Sequence, residues 1–283
     1  MTEDKKSKVM VTKHNDLVTA AYSLSLAEER LVLAAASTID PRKPMPTEIS
    51  VSASYYSDIF DLPLKQSYDQ LKSATLNLFE AKITNIVGSG PQRSVHHIRW
   101  VQECKYIDGE GRVVLVFSNA IKPYLSRLHS HVTSIDLRRA GKLDSSYSLR
   151  FFQLLMQFKK TGWLYMTLEE LRKRLELGET YQRLNNLKQR VINPAVAELR
   201  DKAGIDISIE WITQGRTTTA MRLSFVDTRN RLTTDPEPEP QEVELEEEFS
   251  TGNQEEGLDQ DESGPQEQSE ETQDAPVTAD LFG

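Results

Sequence analysis

A chain of 283 residues, 38% hydrophobic, is long enough for one or two folded domains, and it has no apolar run near the ~18 residues of a membrane span. Its single cysteine, Cys104, excludes an intrachain disulfide framework and a cysteine zinc cluster, and the opening residues hold no apolar signal stretch, so the expected compartment is a reducing cytoplasm with no membrane partner. A net charge of −9 argues at first against a nucleic-acid partner.

In chain order, residues 1–14 read as a flexible N-terminal arm. Ser25-Leu26-Ala27-Glu28 is a capping box, in which the serine oxygen accepts from a free amide and the glutamate reaches back, so a helix starts at Ser25. Leu26, Leu31, Leu33 and Ala34 give it an apolar face, and Pro41, Pro44 and Pro46 break it. Ile49-Ser50-Val51-Ser52 alternates like a short strand. Helical segments follow at about 53–60 and 65–80, the second with Leu71, Leu76 and Phe79 as its apolar residues. Lys82–Val87 reads as a strand, and 98–107 and Arg112–Phe117 as two more, joined by the turn Asp108-Gly109-Glu110-Gly111. Helix, short strand, helix, helix, hairpin is the order of a winged helix.

The order then recurs. Residues 147–158 form a strongly apolar helix ended by Gly162, and 163–166 a short strand. Thr167-Leu168-Glu169-Glu170 is a second capping box, opening a helix that Gly178 closes. A third helix begins near Tyr181, and Pro194 is expected to kink or divide it, with Asn193 as a possible cap. Ile205, Ile207, Ile209 and Trp211 alternate in one strand, Met221, Leu223 and Phe225 in another, with Gly215 in the turn between. The expected fold class is α+β: tandem winged-helix domains at 15–137 and 138–231, followed by an acidic tail at 232–283. From Asp235 onward the tail has 18 acidic residues, no Lys or Arg and few apolar groups, so it cannot offset its conformational entropy and is expected to be disordered.

The position of the charge reverses the first impression. Residues 1–234 hold 25 Asp and Glu against all 34 Lys and Arg, a net of +9. Residues 138–231 contribute 18 bases and 10 acids, nearly the whole excess. A basic half is the footprint of a phosphate-binding surface; an ordinary solvated surface is the plainer alternative.

In a helix-turn-helix the last helix enters the major groove. In the second domain that is the helix from Tyr181. Leu184, Leu187 and Val191 fall on one side, and the other side presents Gln182, Asn185, Asn186 and Gln189 among Arg183, Lys188 and Arg190. Asn and Gln can pair with adenine, Arg with guanine, and 181–190 contains no acid, unlike most solvated helix faces. In the turn Gln214-Gly215-Arg216-Thr217, glycine allows close approach while Arg216 and Thr217 can donate to phosphate; a plain β-turn fits the same residues. The matching helix of the first domain offers Lys65, Gln66, Ser67 and Lys72, diluted by Asp69, so that domain either reads bases or serves mainly to pack and dimerise.

No P-loop (Gly-x-x-x-x-Gly-Lys) is present. His129-Ser130-His131 is similar to the His-hydrophobic-His metal motif of rolling-circle nicking enzymes, but serine stands in its middle and no carboxylate cluster lies nearby in sequence. His96 and His97, adjacent in a strand, point to opposite faces. The expectation is a non-enzymatic protein with no cofactor and no metal.

Two blocks carry a family resemblance. Asn15-Asp16-Leu17 through Ala20-Ala21-Tyr22-Ser23-Leu24-Ser25 to Arg30 resembles the opening of theta-type plasmid replication initiators of the RepE and pi class. So does Tyr147-Ser148-Leu149-Arg150-Phe151, followed by Gln157-Phe158-Lys159-Lys160, Leu168, Leu171 and Tyr181-Gln182-Arg183. The similarity spans about 14–227. It implies tandem winged helices related by a pseudo-two-fold axis, monomers on directly repeated origin sites (iterons), and dimers on an inverted repeat that repress their own gene. It also implies that Arg183 contacts a base, and that Lys188-Gln189-Arg190, with glutamine at its centre, departs from the family's basic run and its base preference.

The expected function is therefore a plasmid replication initiator that binds double-stranded DNA at origin repeats and at its operator, and binds a second copy of itself. Host replication proteins, the sliding clamp among them, are further expected partners. Asp280-Leu281-Phe282 resembles the second half of the clamp-binding pentapeptide Gln-Leu-Ser/Asp-Leu-Phe, with Thr278 and Ala279 in place of its first two residues, which makes Leu281 and Phe282 the candidate anchors. The alternatives are a winged-helix transcriptional repressor without origin function and a rolling-circle nicking endonuclease.

Overall fold

The computed structural model describes residues 9–87, 94–107 and 109–230. It opens on a strand, β1 (Met10–His14), that pairs antiparallel with the later strand Val132–Asp136. Its alternate residues Val11 and Lys13 are fully buried. This overturns the expected arm over 10–14: a ladder and two buried side chains fix a segment whose Lys and His had read as solvated. Residues 1–8 lie outside the described residues.

After α1 (Asn15–Thr19), the capping box forms as expected. Ser25 accepts from the Glu28 amide at 3.3 Å and Glu28 from the Ser25 amide at 3.0 Å, starting α2 (Leu26–Ser37). β2 (Ile49–Ser52) leads into α3 (Ala53–Phe60), capped by the Ser52 hydroxyl and ended by a left-handed Asp61. α4 (Leu64–Glu80) buries Ser67, Leu71, Ala74, Thr75 and Leu78, a three-and-four spacing that leaves Leu76 on the far side, 63% exposed. Leu76, apolar as it is, is thus not part of the buried face. β3 (Lys82–Val87) pairs with β4 (Ser94–Arg99), and β5 (Val101–Ile107) with β6 (Arg112–Phe117). The single strand expected over 98–107 divides at Trp100, which turns fully into the core and packs edge-on against Tyr22 at 4.9 Å.

β7 (Val132–Asp136) returns to β1, and α5 (Leu137–Gly141) follows, capped by Asp136. α6 (Ser146–Gln157) is buried over Ser148 to Met156, as a helix apolar on most sides must be. It contacts α1, α2 and β7 of the first half. β8 (Trp163–Thr167) leads through the second capping box, with bonds of 2.9 and 3.1 Å, into α7 (Leu168–Arg174). The third helix starts at α8 (Leu184–Leu187) and stays right-handed through Lys188–Ile192, α9 (Asn193–Glu198), which packs on α6, and Leu199–Ala203. Pro194 does not break it. The turn before it widens, the Asn193 amide reaching back five residues to the Lys188 carbonyl, and the Asn193 side chain caps nothing. β9 (Ile205–Gln214) and β10 (Thr217–Asp227) form the last hairpin.

The two main sheets have one topology. β2-β6-β5 in the first half and β8-β10-β9 in the second both pair the short first strand with the last strand of the hairpin. They are tandem winged helices, with β1–β7 and β3–β4 as additions to the first. No described helix is long and apolar enough to cross a membrane. The acidic tail lies outside the described residues.

A buried polar seam joins the two halves. Lys13 donates to the side-chain Oε1 of Gln153 at 3.0 Å and stands 3.6 Å from Glu29. Gln153 and Tyr22 donate to Glu29 at 2.6 and 3.2 Å. Arg150 donates to the Tyr22 hydroxyl and, at 3.0 Å, to the Ala20 carbonyl. Burial works against the Glu29 carboxylate, yet Lys13, Arg150 and these donors hold its pKa below the usual range. Tyr22 and Arg150, residues of the two blocks that carry the resemblance, meet here.

Candidate nucleic-acid interface

The second winged helix presents its last helix through a tight turn. After α7 the chain bends with Glu176, Gly178 and Tyr181 left-handed, at φ 46°, 52° and 56°. Leu175 and Leu177 anchor the bend in the core. Arg172 on α7 donates to three consecutive carbonyls of the lead-in: Thr180 at 3.3 Å, Tyr181 at 2.7 Å and Gln182 at 3.1 Å. The helix therefore starts later than expected, at Leu184, with Arg183 as its N-cap residue. Gln182 and Arg183 belong to the lead-in instead of the helix face.

The face itself separates as the periodicity predicts. Leu187 and Val191 are buried and Leu184 half-buried, while Gln182, Arg183, Asn185, Asn186, Gln189 and Arg190 are exposed. Lys188 is half-buried, its ammonium 3.7 Å from the centre of the Trp211 ring, a cation–π contact tying the helix to β9. Gln182 donates to the Glu179 carboxylate at 3.0 Å, so an acid stands just ahead of the acid-free segment. Arg216 and Thr217 are exposed at the β9–β10 turn, where Gly215 takes φ 64°.

The first winged helix is built differently. Lys65 and Gln66 are exposed in the first turn of α4. Lys72 is exposed, with its ammonium 5.1 Å from the Tyr106 ring centre. Ser67 is fully buried and its hydroxyl donates to the Pro63 carbonyl at 3.2 Å, so it does not belong to the candidate face; a small polar residue on a helix fits the buried side once its hydroxyl bonds back to the preceding turn. Next to it, α4 closes on the hairpin turn: a Cβ on Gly111 would lie 1.9 Å from Cε1 of Tyr68.

The other candidates lie elsewhere. Leu281 and Phe282 fall outside the described residues. The rings of His131 and His14 are 6.2 Å apart, and among the described residues no group of three or more His, Cys, Asp or Glu is placed to hold a metal ion. Sequence reading missed Arg172 and Trp211. The signal for Arg172 was its place in the last turn of α7, one turn before the bend.

Comparison with known proteins agrees with this architecture. Residues 10–156 match the family model described as initiator replication protein, WH1, and residues 167–225 the one described as initiator Rep protein, WH2. The first of these extends through α6. An Escherichia coli replication initiation protein is 25% identical over 213 residues, 72% of this chain and 66% of its own length. The chain thus spans just under two thirds of that relative. An uncharacterized 27.6 kDa Escherichia coli protein is 25% identical over 207 residues, 69% of this chain and 86% of its own. Among solved structures, the Pi initiator protein in complex with iteron DNA matches with a TM-score of 0.67 at 21% identity, covering 78% of this chain and 98% of that one. The chain belongs to the family of initiator replication proteins built from two winged helices.

Proposed function

We propose that the chain initiates plasmid replication by binding directly repeated duplex sites, with the α8 helix and its lead-in in the major groove and the β9–β10 turn on the adjacent backbone. The observation that carries this reading is the exposed row Asn185, Asn186, Gln189 and Arg190 on a helix whose other side is buried, with Arg183 exposed at its N-cap. Family membership, the iteron DNA held by the Pi initiator and the net basic charge of residues 138–231 support it. Lys65, Gln66 and Lys72 make the weaker contacts of the first domain, positioning the protein on phosphate. Two winged helices one turn apart need a site of about 20 base pairs.

On the same reading the chain acts in the cytoplasm by binding and assembly, not by a catalytic step. It forms dimers on an inverted repeat that repress its own gene, and engages host replication proteins, the sliding clamp among them, through Leu281 and Phe282. Sites selected from a random duplex library, then located and footprinted on the DNA flanking the gene, test the central claim. The expected outcome is protection over each of several direct repeats. A single protected palindrome with no repeats would leave a repressor without origin function.

A further inference from the structure

We infer that Arg172 is a positioning residue for sequence-specific binding: its guanidinium sets the lead-in that delivers Arg183, Asn185 and Asn186. The inference rests on the proposal that this helix reads bases. Its geometric basis is the clasp of one half-buried side chain on the carbonyls of Thr180, Tyr181 and Gln182. The residue held at the centre, Tyr181, is left-handed at φ 56°, a conformation that is unfavourable for a non-glycine residue and persists only where its surroundings enforce it. A planar fork can serve several carbonyls at once; a lysine ammonium, a point charge on a flexible stem, cannot hold them in the same geometry.

The base of the clasp is itself fixed. The capping box of Thr167 and Glu170 anchors the start of α7, and Leu171, next to Arg172, is fully buried. Arg150 donates to the Arg174 carbonyl at 3.5 Å, tying the end of α7 to the seam. Arg172 spends its guanidinium on the carbonyls of the lead-in, so it acts on DNA through the residues it holds. An Arg at this place leaves the chemistry of the reading face unchanged and sets where that face begins.

The test uses the full chain, with a duplex carrying the site selected by the wild-type protein and a scrambled duplex of equal length. Arg172→Lys keeps the charge and removes the fork. It is expected to lower the ratio of selected-site to scrambled affinity about tenfold to a hundredfold, the scale of one well-made base contact. In the free protein it is expected to raise hydrogen exchange at the amides of 180–187 alone. Equal losses on both duplexes, with faster exchange across the whole second domain, mean a general structural role and overturn the inference. An unchanged ratio, or unchanged exchange at 180–187, overturns it as well. Arg183→Ala separates the two claims: if it keeps full discrimination while Arg172→Lys loses it, the assignment of Arg183 falls and the positioning role stands.

Discussion

The two winged helices share a sheet topology and differ in what they do with the helix that follows the turn. In the first, α4 is a regular helix of 17 residues that carries Asp69 and Glu80, buries Ser67 and packs Tyr68 against the turn at Gly111. In the second, the helix enters through three left-handed residues, shows no acid over 181–190 and contains wide turns at Lys188–Ile192 and Leu199–Ala203. Wide turns of this kind are rare and concentrate at functional sites. The fold is therefore neutral between scaffold and reader. What differs between them is the side-chain chemistry on one helix and the geometry of the turn before it, and the proposed division of roles rests on that difference.

The largest effect is expected at the seam that makes the comparison possible, because both halves depend on it. Glu29→Gln leaves Lys13 and Arg150 buried without their counter-charge and is expected to cost about 3–5 kcal/mol in urea unfolding. Acid acts on the same group. The folded-state pKa of Glu29 lies below its unfolded value, so its contribution is complete above the ordinary carboxylate range and is lost as pH falls through the folded value. If Glu29→Gln unfolds only one half while the other keeps wild-type stability, the halves are independent and the seam does not couple them.

That seam also marks the limit of what the sequence shows. The two capping boxes were legible because every atom they need lies within four residues. The repeated order of elements followed from periodicity and turns, which are local too. β1 was missed because its ladder partner, Val132–Asp136, lies more than a hundred residues on, and one of the groups that receives the buried Lys13 is Gln153, 140 residues away. The break at Trp100 was missed because its partner is Tyr22, and a run of strand-forming residues gives no sign of which neighbour each half will pair with. At the interface, the exposed polar row was legible from its spacing. The late start of the helix was not, because the left-handed Tyr181 is imposed by the bend and by Arg172.

The next effect sharpens the contrast between the helices. Arg183→Ala is expected to cost about 1–3 kcal/mol on the selected site and less on scrambled duplex. Equal losses on both would make Arg183 a phosphate contact. Lys65→Ala, at the corresponding end of α4, is expected to weaken both duplexes alike and to reduce the salt slope of binding by about 1. Should Lys65→Ala change discrimination as much as Arg183→Ala does, the first domain reads bases too and the division of roles fails.

The smallest effect concerns the acidic segment that follows both domains. From Asp235 to Gly283 the chain has 18 acidic residues and no base, whereas residues 138–231 have a net charge of +8. A polyanion on the same chain as a basic face competes with duplex phosphate at a high effective concentration, whatever the base sequence. On the proposed reading, contacts through Asn185, Asn186 and Gln189 would be hydrogen bonds that carboxylates do not replace, so the competition is expected to bear mainly on non-specific binding. Deletion of 235–283 is therefore expected to tighten binding to scrambled duplex at low salt, with little change on the selected site. The difference should fade as the screening length shrinks to about 8–10 Å near physiological ionic strength. Titration of a labelled scrambled duplex with both proteins across a salt series measures it. Identical affinities at the lowest salt would show that the acidic segment does not compete for the basic face, and would leave the second domain's preference for its site to the helix alone.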